Sequence, residues 1–119
     1  MRGQVAKGYY INRDGGKRFN CAQAVASAFA DCFDEQENIL EMFSSCGSGR
    51  APNGVCGAFY ASEVILKRLA PDKVEYFKKF YLENAGSLKC REIRELRKFS
   101  CVECVEKSAE FVSKVLDLN

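Results

Sequence analysis

Apolar residues recur every three to four positions along most of this chain, the spacing that is typical of amphipathic helices. The clearest stripe predicts a helix opening at the N-cap residue Asn20 and comprises Cys21, Ala24, Val25, Ala28, Phe29 and Cys32. No segment alternates apolar and polar residues as a half-buried strand does. The pattern therefore predicts an all-α protein, a compact helical bundle of about five to seven helices in a single domain over 1–119.

Turn and capping residues indicate where the later helices begin and end. Gly86 is a typical C-terminal cap, Ser87 marks a helix start, and Ser100 with Glu103 forms a capping box that opens the last helix. The one irregular stretch is the glycine-rich loop 46–54, whose glycines allow the backbone to approach a ligand closely. From this loop and the helix start after it, we take as candidate cofactor-binding residues Gly47, Gly49, Gly54 and Gly57.

Composition excludes some classes of function. The net charge of +2 argues against binding to nucleic acid, which usually requires a strongly basic face. No apolar run approaches the ~18 residues of a membrane span, and the first residues lack the apolar core of a signal peptide. We therefore expect a cytoplasmic protein whose thiols stay mostly reduced.

The chain has seven cysteines and no histidine. The cysteines are Cys21, Cys32, Cys46, Cys56, Cys90, Cys101 and Cys104. Sulfur can bind soft metals, act as a nucleophile or cycle between dithiol and disulfide. Because the usual imidazole base is missing, any chemistry here would depend on thiolates.

Five of the cysteines fall at predicted helix N-termini: Cys21, Cys56, Cys90, Cys101 and Cys104. The helix dipole and free N–H groups at such positions favour the thiolate, so we expect thiol pKa values below the usual value of about 8.5. The basic residues within 89–98 would lower the thiol pKa of Cys90 further, although such a run is most simply a solvated helix face.

Cys101 and Cys104 form the one C-x-x-C motif, which places two sulfurs on one helix face, as in dithiol redox sites and in half of a metal site. Cys21 and Cys32 lie on an apolar stripe and would serve equally well as buried filler. They cannot bridge each other, because eleven residues of helix separate them by about 16 Å, far beyond disulfide range.

Four segments of the chain resemble, in order, the C_GCAxxG_C_C family of redox-active proteins. They are NCAQAV at 20–25, GVCGA at 54–58, GSLKCRE at 86–92 and CVECV at 101–105. The resemblance runs from about 9 to 116 and places the family's four cysteines at Cys21, Cys56, Cys90 and Cys101. It implies a small helical protein with a redox or metal role, related to a domain of split-Soret cytochromes. The chain departs from the family motif at Val55 and Ala61, where the motif has glycine.

Three hypotheses follow. In the first, Cys21, Cys56, Cys90 and Cys101 converge on one cleft beside the glycine loop and bind an iron–sulfur cluster or another metal for electron transfer, with Cys46 or Cys104 as a substitute ligand. In the second, the protein is a metal-free thiol–disulfide oxidoreductase whose catalytic thiols are drawn from Cys90, Cys101 and Cys104. In the third, it is an interaction module with inert cysteines. We also expect a redox partner protein, and a homodimer is compatible with so small and aromatic a chain.

Overall fold

The computed structural model describes residues 2–11, 19–33, 38–46 and 51–117. These residues form seven helices: α1 (Arg2–Ile11), α2 (Cys21–Ala28), α3 (Ile39–Met42), α4 (Gly57–Leu69), α5 (Val74–Ala85), α6 (Cys90–Leu96) and α7 (Cys101–Val115). The described residues include no strand beyond a single isolated bridge, so the all-α prediction is confirmed. None of the described helices has the length and apolar character needed to cross a membrane.

Both predicted N-caps are present. The Asn20 side chain accepts a hydrogen bond from the Gln23 amide at 2.7 Å, and the Asn20 amide donates to the Gln23 side chain at 2.9 Å. Ser100 and Glu103 form the same reciprocal pair at the start of α7, with both bonds at 3.1 Å. Each cap satisfies otherwise unpaired amides and contributes about 1 kcal/mol. The caps thereby fix where Cys21 and Cys101 enter their helices.

The core lies between α2, α4 and α7, which pack against one another while α1 covers α2 and α7. Its largest cluster is aromatic: the rings of Phe59 and Phe77 stack at 5.2 Å, and Tyr81 meets both edge-on. All three side chains are almost completely buried. Each buried ring contributes roughly 2–3 kcal/mol from the removal of apolar surface from water.

Helix α6 begins differently from the prediction. Its N-cap is Lys89, not Ser87, and Cys90 is its first residue. The Ser87 hydroxyl instead accepts a hydrogen bond from the Lys89 amide and donates one to Glu92. Ser87 therefore stabilises the turn before α6, and Gly86 ends α5 in the left-handed conformation with φ of 88°, as predicted.

Candidate functional site

The N-terminal ends of α2, α4, α6 and α7 surround one cavity of about 380 Å³. It is lined by Cys21, Cys56, Cys90, Cys101 and Cys104, and we call it the thiol cavity. The structure thus brings together the four cysteines that the sequence predicted to share a cleft, and adds Cys104. Residues on α1 and apolar side chains close the remaining walls.

Backbone pairing places two of these helix starts side by side. Val55 and Lys89 form an antiparallel bridge, and the Cys56 amide donates a hydrogen bond to the Leu88 carbonyl at 2.7 Å. Cys56 follows Val55 and Cys90 follows Lys89 in the chain. The bridge therefore brings both cysteines to the same cavity, although their elements are distant in sequence. The irregular backbone before α4 and before α6 is what makes this pairing available.

Gly57 makes room for Cys21. A Cβ at Gly57 would lie 2.5 Å from the Cys21 Sγ and 2.6 Å from the Cys46 carbonyl oxygen. Both distances are well below ordinary van der Waals contact, so only glycine allows the start of α4 to pack this closely on α2. Gly57, predicted to bind a cofactor, is therefore placed against a thiol and a backbone carbonyl.

Cys56 and Cys104 form the inner pair of the cavity. Both are almost fully buried and line the same cavity. Interaction with Cys104, together with burial, raises the pKa of the Cys56 thiol to about 12, whereas interaction with Cys56 lowers the pKa of Cys104. Cys56 is thus the proton donor of the pair, and Cys104 is the sulfur better suited to be the thiolate.

Tyr81 on α5 completes the inner pair. Its hydroxyl donates a hydrogen bond to the Cys56 Sγ at 3.1 Å, and its ring is held by Phe59, Phe77 and Phe99. Burial, together with the neighbouring sulfurs, raises the pKa of Tyr81 well above its usual value. Tyr81 therefore stays protonated and remains a fixed donor to sulfur.

Cys90 and Cys101 line the cavity together with Arg94, and Cys90 is buried. Cys101 is half-buried and interacts with the Tyr10 hydroxyl and with the Arg94 guanidinium. The nearby Cys90 sulfur is the largest influence that raises the pKa of Arg94, so the cation lies beside both thiols. Burial, followed by the Cys101 and Cys21 sulfurs, raises the pKa of Tyr10 to about 12, which keeps its hydroxyl a donor.

The expectation that helix starts lower the thiol pKa is wrong for Cys56 and Cys90. Burial raises the pKa of Cys90 even though Arg94 acts in the opposite direction. At Cys56 the interaction with Cys104 raises the pKa most, and burial adds to it. Desolvation and thiol–thiol contacts therefore outweigh the helix dipole at these two sulfurs.

The family model described as "Putative redox-active protein (C_GCAxxG_C_C)" matches residues 19–115, which is most of the chain. The chain belongs to this family. The match confirms the resemblance noted in the sequence and establishes the redox-active class for this C_GCAxxG_C_C protein. No curated protein and no solved structure matches the chain.

The cavity of this C_GCAxxG_C_C protein has a donor set suited in kind to zinc or iron–sulfur, because thiolates bind both. The positions of these donors do not match their chemistry. Among the residues that the structure describes, no group of three or more potential ligands is placed so that it could hold a metal ion. The sulfurs as arranged do not fit a preformed metal centre.

Two of the predicted cofactor-binding glycines, Gly47 and Gly49, lie outside the described residues. Gly54, with φ of 72°, does not line the thiol cavity but a separate depression that also contains Cys90 and Arg94. A cofactor-binding role for Gly54 stays a prediction.

Sequence reasoning did not single out three side chains at this site: Tyr10, Tyr81 and Arg94. Tyr81 lies at helical spacing from Val74 and Phe77, a pattern that indicates a core position. A buried tyrosine hydroxyl needs a hydrogen-bond partner, and that requirement was the available signal. Arg94 was included in the solvated basic run, and nothing in the sequence separates it from its basic neighbours.

Two further cysteines lie outside the lining of the thiol cavity. Cys46 is buried behind Cys21, and burial raises its pKa. Cys32 is beside Asp31 in the short 3₁₀ turn Ala30–Cys32, beyond the end of α2 at Ala28, and burial and the Asp31 charge raise its pKa. Both agree with the interpretation of some cysteines as packing residues.

Proposed function

We propose that this protein is a thiol–disulfide oxidoreductase whose inner pair, Cys56 and Cys104, cycles between dithiol and disulfide. The observation that carries the proposal is that these two buried sulfurs line one cavity and shift each other's pKa, with Cys104 as the more acidic sulfur. A thiolate beside a protonated thiol is the arrangement from which a disulfide forms.

The reaction balances with an external disulfide as oxidant. A thiolate of the cavity attacks the external disulfide and releases one thiol, and a second cavity sulfur then attacks the mixed disulfide and releases the other. The two cavity thiols lose two electrons and two protons, which the external disulfide gains as two thiols. A dithiol reverses the reaction, and the redox partner protein that the sequence leads us to expect is its proposed source.

Oxidation by a small disulfide followed by mapping of the disulfide peptides tests the proposal. We expect a bond between Cys56 and Cys104 that dithiothreitol removes and that is absent from Cys104→Ser. Cys32→Ser is the matched control, because Cys32 does not line the cavity, and it should oxidise like the wild type. Recovery of both inner thiols in reduced form after exhaustive oxidation would contradict the proposal.

A thiolate-bound metal or iron–sulfur centre is a second candidate, favoured by the five thiols that line one cavity. The arrangement of the described ligands argues against it. Purification without oxygen, with iron and sulfide supplied, distinguishes the two candidates. Stoichiometric metal with visible absorption would support this centre, and protein without metal and with reactive inner thiols would support the oxidoreductase.

A further inference from the structure

We propose that Cys101 is the entry thiol of the cavity: it reacts first with a small anionic disulfide and passes the oxidation to the inner pair. This inference deepens the proposed function and depends on it. It arises from the way in which the two ends of the cavity differ in exposure, contacts and charge.

Exposure separates the sulfurs into an inner and an outer set. Cys56, Cys104 and Cys90 are only 5%, 2% and 7% exposed, whereas Cys101 and Cys21 are half-buried. Of the two half-buried sulfurs, Cys101 is the one that shares a helix with Cys104. An external disulfide must approach a sulfur in line with its S–S bond, and access governs the rate of this exchange. Cys101 is therefore the sulfur on α7 that an incoming molecule can meet first.

The helix geometry provides the route inward. Cys101 and Cys104 lie three residues apart in the first turn of α7, so their Cβ atoms are about 5–6 Å apart on one face. This is wider than the ~3.8 Å that suits a disulfide, so a bond between them forms under strain. Cys104 also lines the cavity with Cys56, which comes from a different element and is a second, less constrained partner.

Three thiol–disulfide exchanges carry the oxidation from Cys101 to the inner pair. The Cys101 thiolate attacks the external disulfide and releases one thiolate; the Cys104 thiolate then attacks the Cys101 sulfur and releases the second. Cys56 next attacks the Cys104 sulfur, passing its proton to the departing Cys101 thiolate. The result is a disulfide between Cys56 and Cys104, a restored Cys101 thiol and an external disulfide reduced by two electrons.

Charge at the mouth indicates the class of substrate. Apart from the thiols and Tyr10, Arg94 is the one ionisable side chain among the described residues that line the cavity. An Arg guanidinium favours a planar carboxylate through paired hydrogen bonds. A volume of about 380 Å³ suits a small molecule. The substrate class is therefore a small disulfide that carries a carboxylate.

Stopped-flow oxidation with two chromogenic disulfides tests the inference: the anionic dithiobis-nitrobenzoate and the neutral dithiodipyridine. We expect Cys101→Ser to slow the formation of the inner disulfide at least tenfold with both reagents, while Cys32→Ser leaves the rate unchanged. Cys101→Ala gives a second variant, and the circular dichroism of each confirms the fold. Formation of the inner disulfide at the wild-type rate in both Cys101 variants would overturn the entry role.

Arg94→Gln tests the substrate class. Any effect of this substitution on the reactivity of the thiols is the same for both reagents. The ratio of the oxidation rate with the anionic reagent to the rate with the neutral reagent therefore isolates recognition of the carboxylate. We expect that ratio to fall roughly tenfold, as for the loss of one nearby charge. Arg91→Gln is the control, since Arg91 is on the same helix, pairs with Glu95 and does not line the cavity. An unchanged ratio in Arg94→Gln would overturn the anionic class.

Failure of this inference differs from failure of the proposed function. If the wild type forms no disulfide between Cys56 and Cys104, the proposed function is wrong. If that disulfide forms but its rate does not depend on Cys101, only the entry role is wrong.

Discussion

Replacement of Gly57 by alanine should destabilise the protein, although alanine is normally the better helix residue. The new Cβ would lie 2.5 Å from the Cys21 Sγ, 2.6 Å from the Cys46 carbonyl oxygen and 3.2 Å from the Ala22 amide nitrogen. Ordinary contact begins at 3.4 Å, so the first two atoms are each roughly 1 Å too close. The Cys21 side chain can rotate away, but the two backbone atoms can move only with their segments.

The magnitude follows from two opposing effects. Overpacking at a tight contact costs about 1–3 kcal/mol. The lower conformational entropy of the unfolded alanine chain recovers about 0.5–1 kcal/mol. We therefore expect a net loss of roughly 1–2 kcal/mol in the free energy of unfolding. For a chain of this length, that corresponds to a fall in Tm of about 4–8 °C.

Thermal and urea unfolding followed by circular dichroism measures this change. Gly8→Ala is the matched control, because a Cβ at Gly8 meets nothing within 4 Å in the middle of α1. That variant should gain about 0.5–1 kcal/mol. If Gly57→Ala is as stable as the wild type, or is stabilised as much as Gly8→Ala, then α4 does not pack against Cys21 as described and the reasoning is refuted.

Two further outcomes can be measured. Tyr81→Phe should lower the reduction potential of the inner pair by about 20 mV in a redox titration, because the dithiol loses a hydrogen bond to Cys56 worth ~1 kcal/mol while the ring packing is kept. Tyr76→Phe is the control, since Tyr76 is exposed, and it should leave the potential unchanged. Equal shifts in both variants would contradict the role of the Tyr81 hydroxyl. Asp31→Asn should cost at most about 1 kcal/mol near pH 7, since the Asp31 carboxylate of the pair is 62% exposed although Arg2 is only 16% exposed. Arg2 lowers the folded pKa of Asp31, so the stabilisation is present above the unfolded pKa of about 3.9 and is lost as the pH falls through the folded pKa. The reasoning is wrong if the variant and the wild type differ by a constant free energy of unfolding down to about pH 2.

Local signals in the sequence were sufficient for the helical fold. Asn20 and Ser100 cap their helices with side chains that act within four residues, and Gly86 ends a helix through its own backbone freedom. Such effects depend on near neighbours, and so a pattern can indicate them. The start of α6 was wrong because Ser87 uses its hydroxyl in a turn and with Glu92.

The site was predictable only in part. The four cysteines of the family motif could be placed at helix starts, and the structure brings them to one cavity. The pairing of Cys56 with Cys104 and the hydroxyl of Tyr81 depend on how α4, α5 and α7 pack, which no local spacing specifies. The same packing brings the Cys104 sulfur into range of Cys56 and desolvates Cys90, and for this reason the two pKa values are raised and not lowered.

A redox titration of the wild-type protein, purified without oxygen and analysed for metal, tests the central claim most directly. We predict a metal-free protein with a single two-electron couple, which follows a slope of about 30 mV per tenfold change in the ratio of oxidised to reduced protein. The couple should coincide with the loss of the Cys56 and Cys104 thiols. A stoichiometric metal, or a titration in which these two thiols never oxidise, would contradict the account.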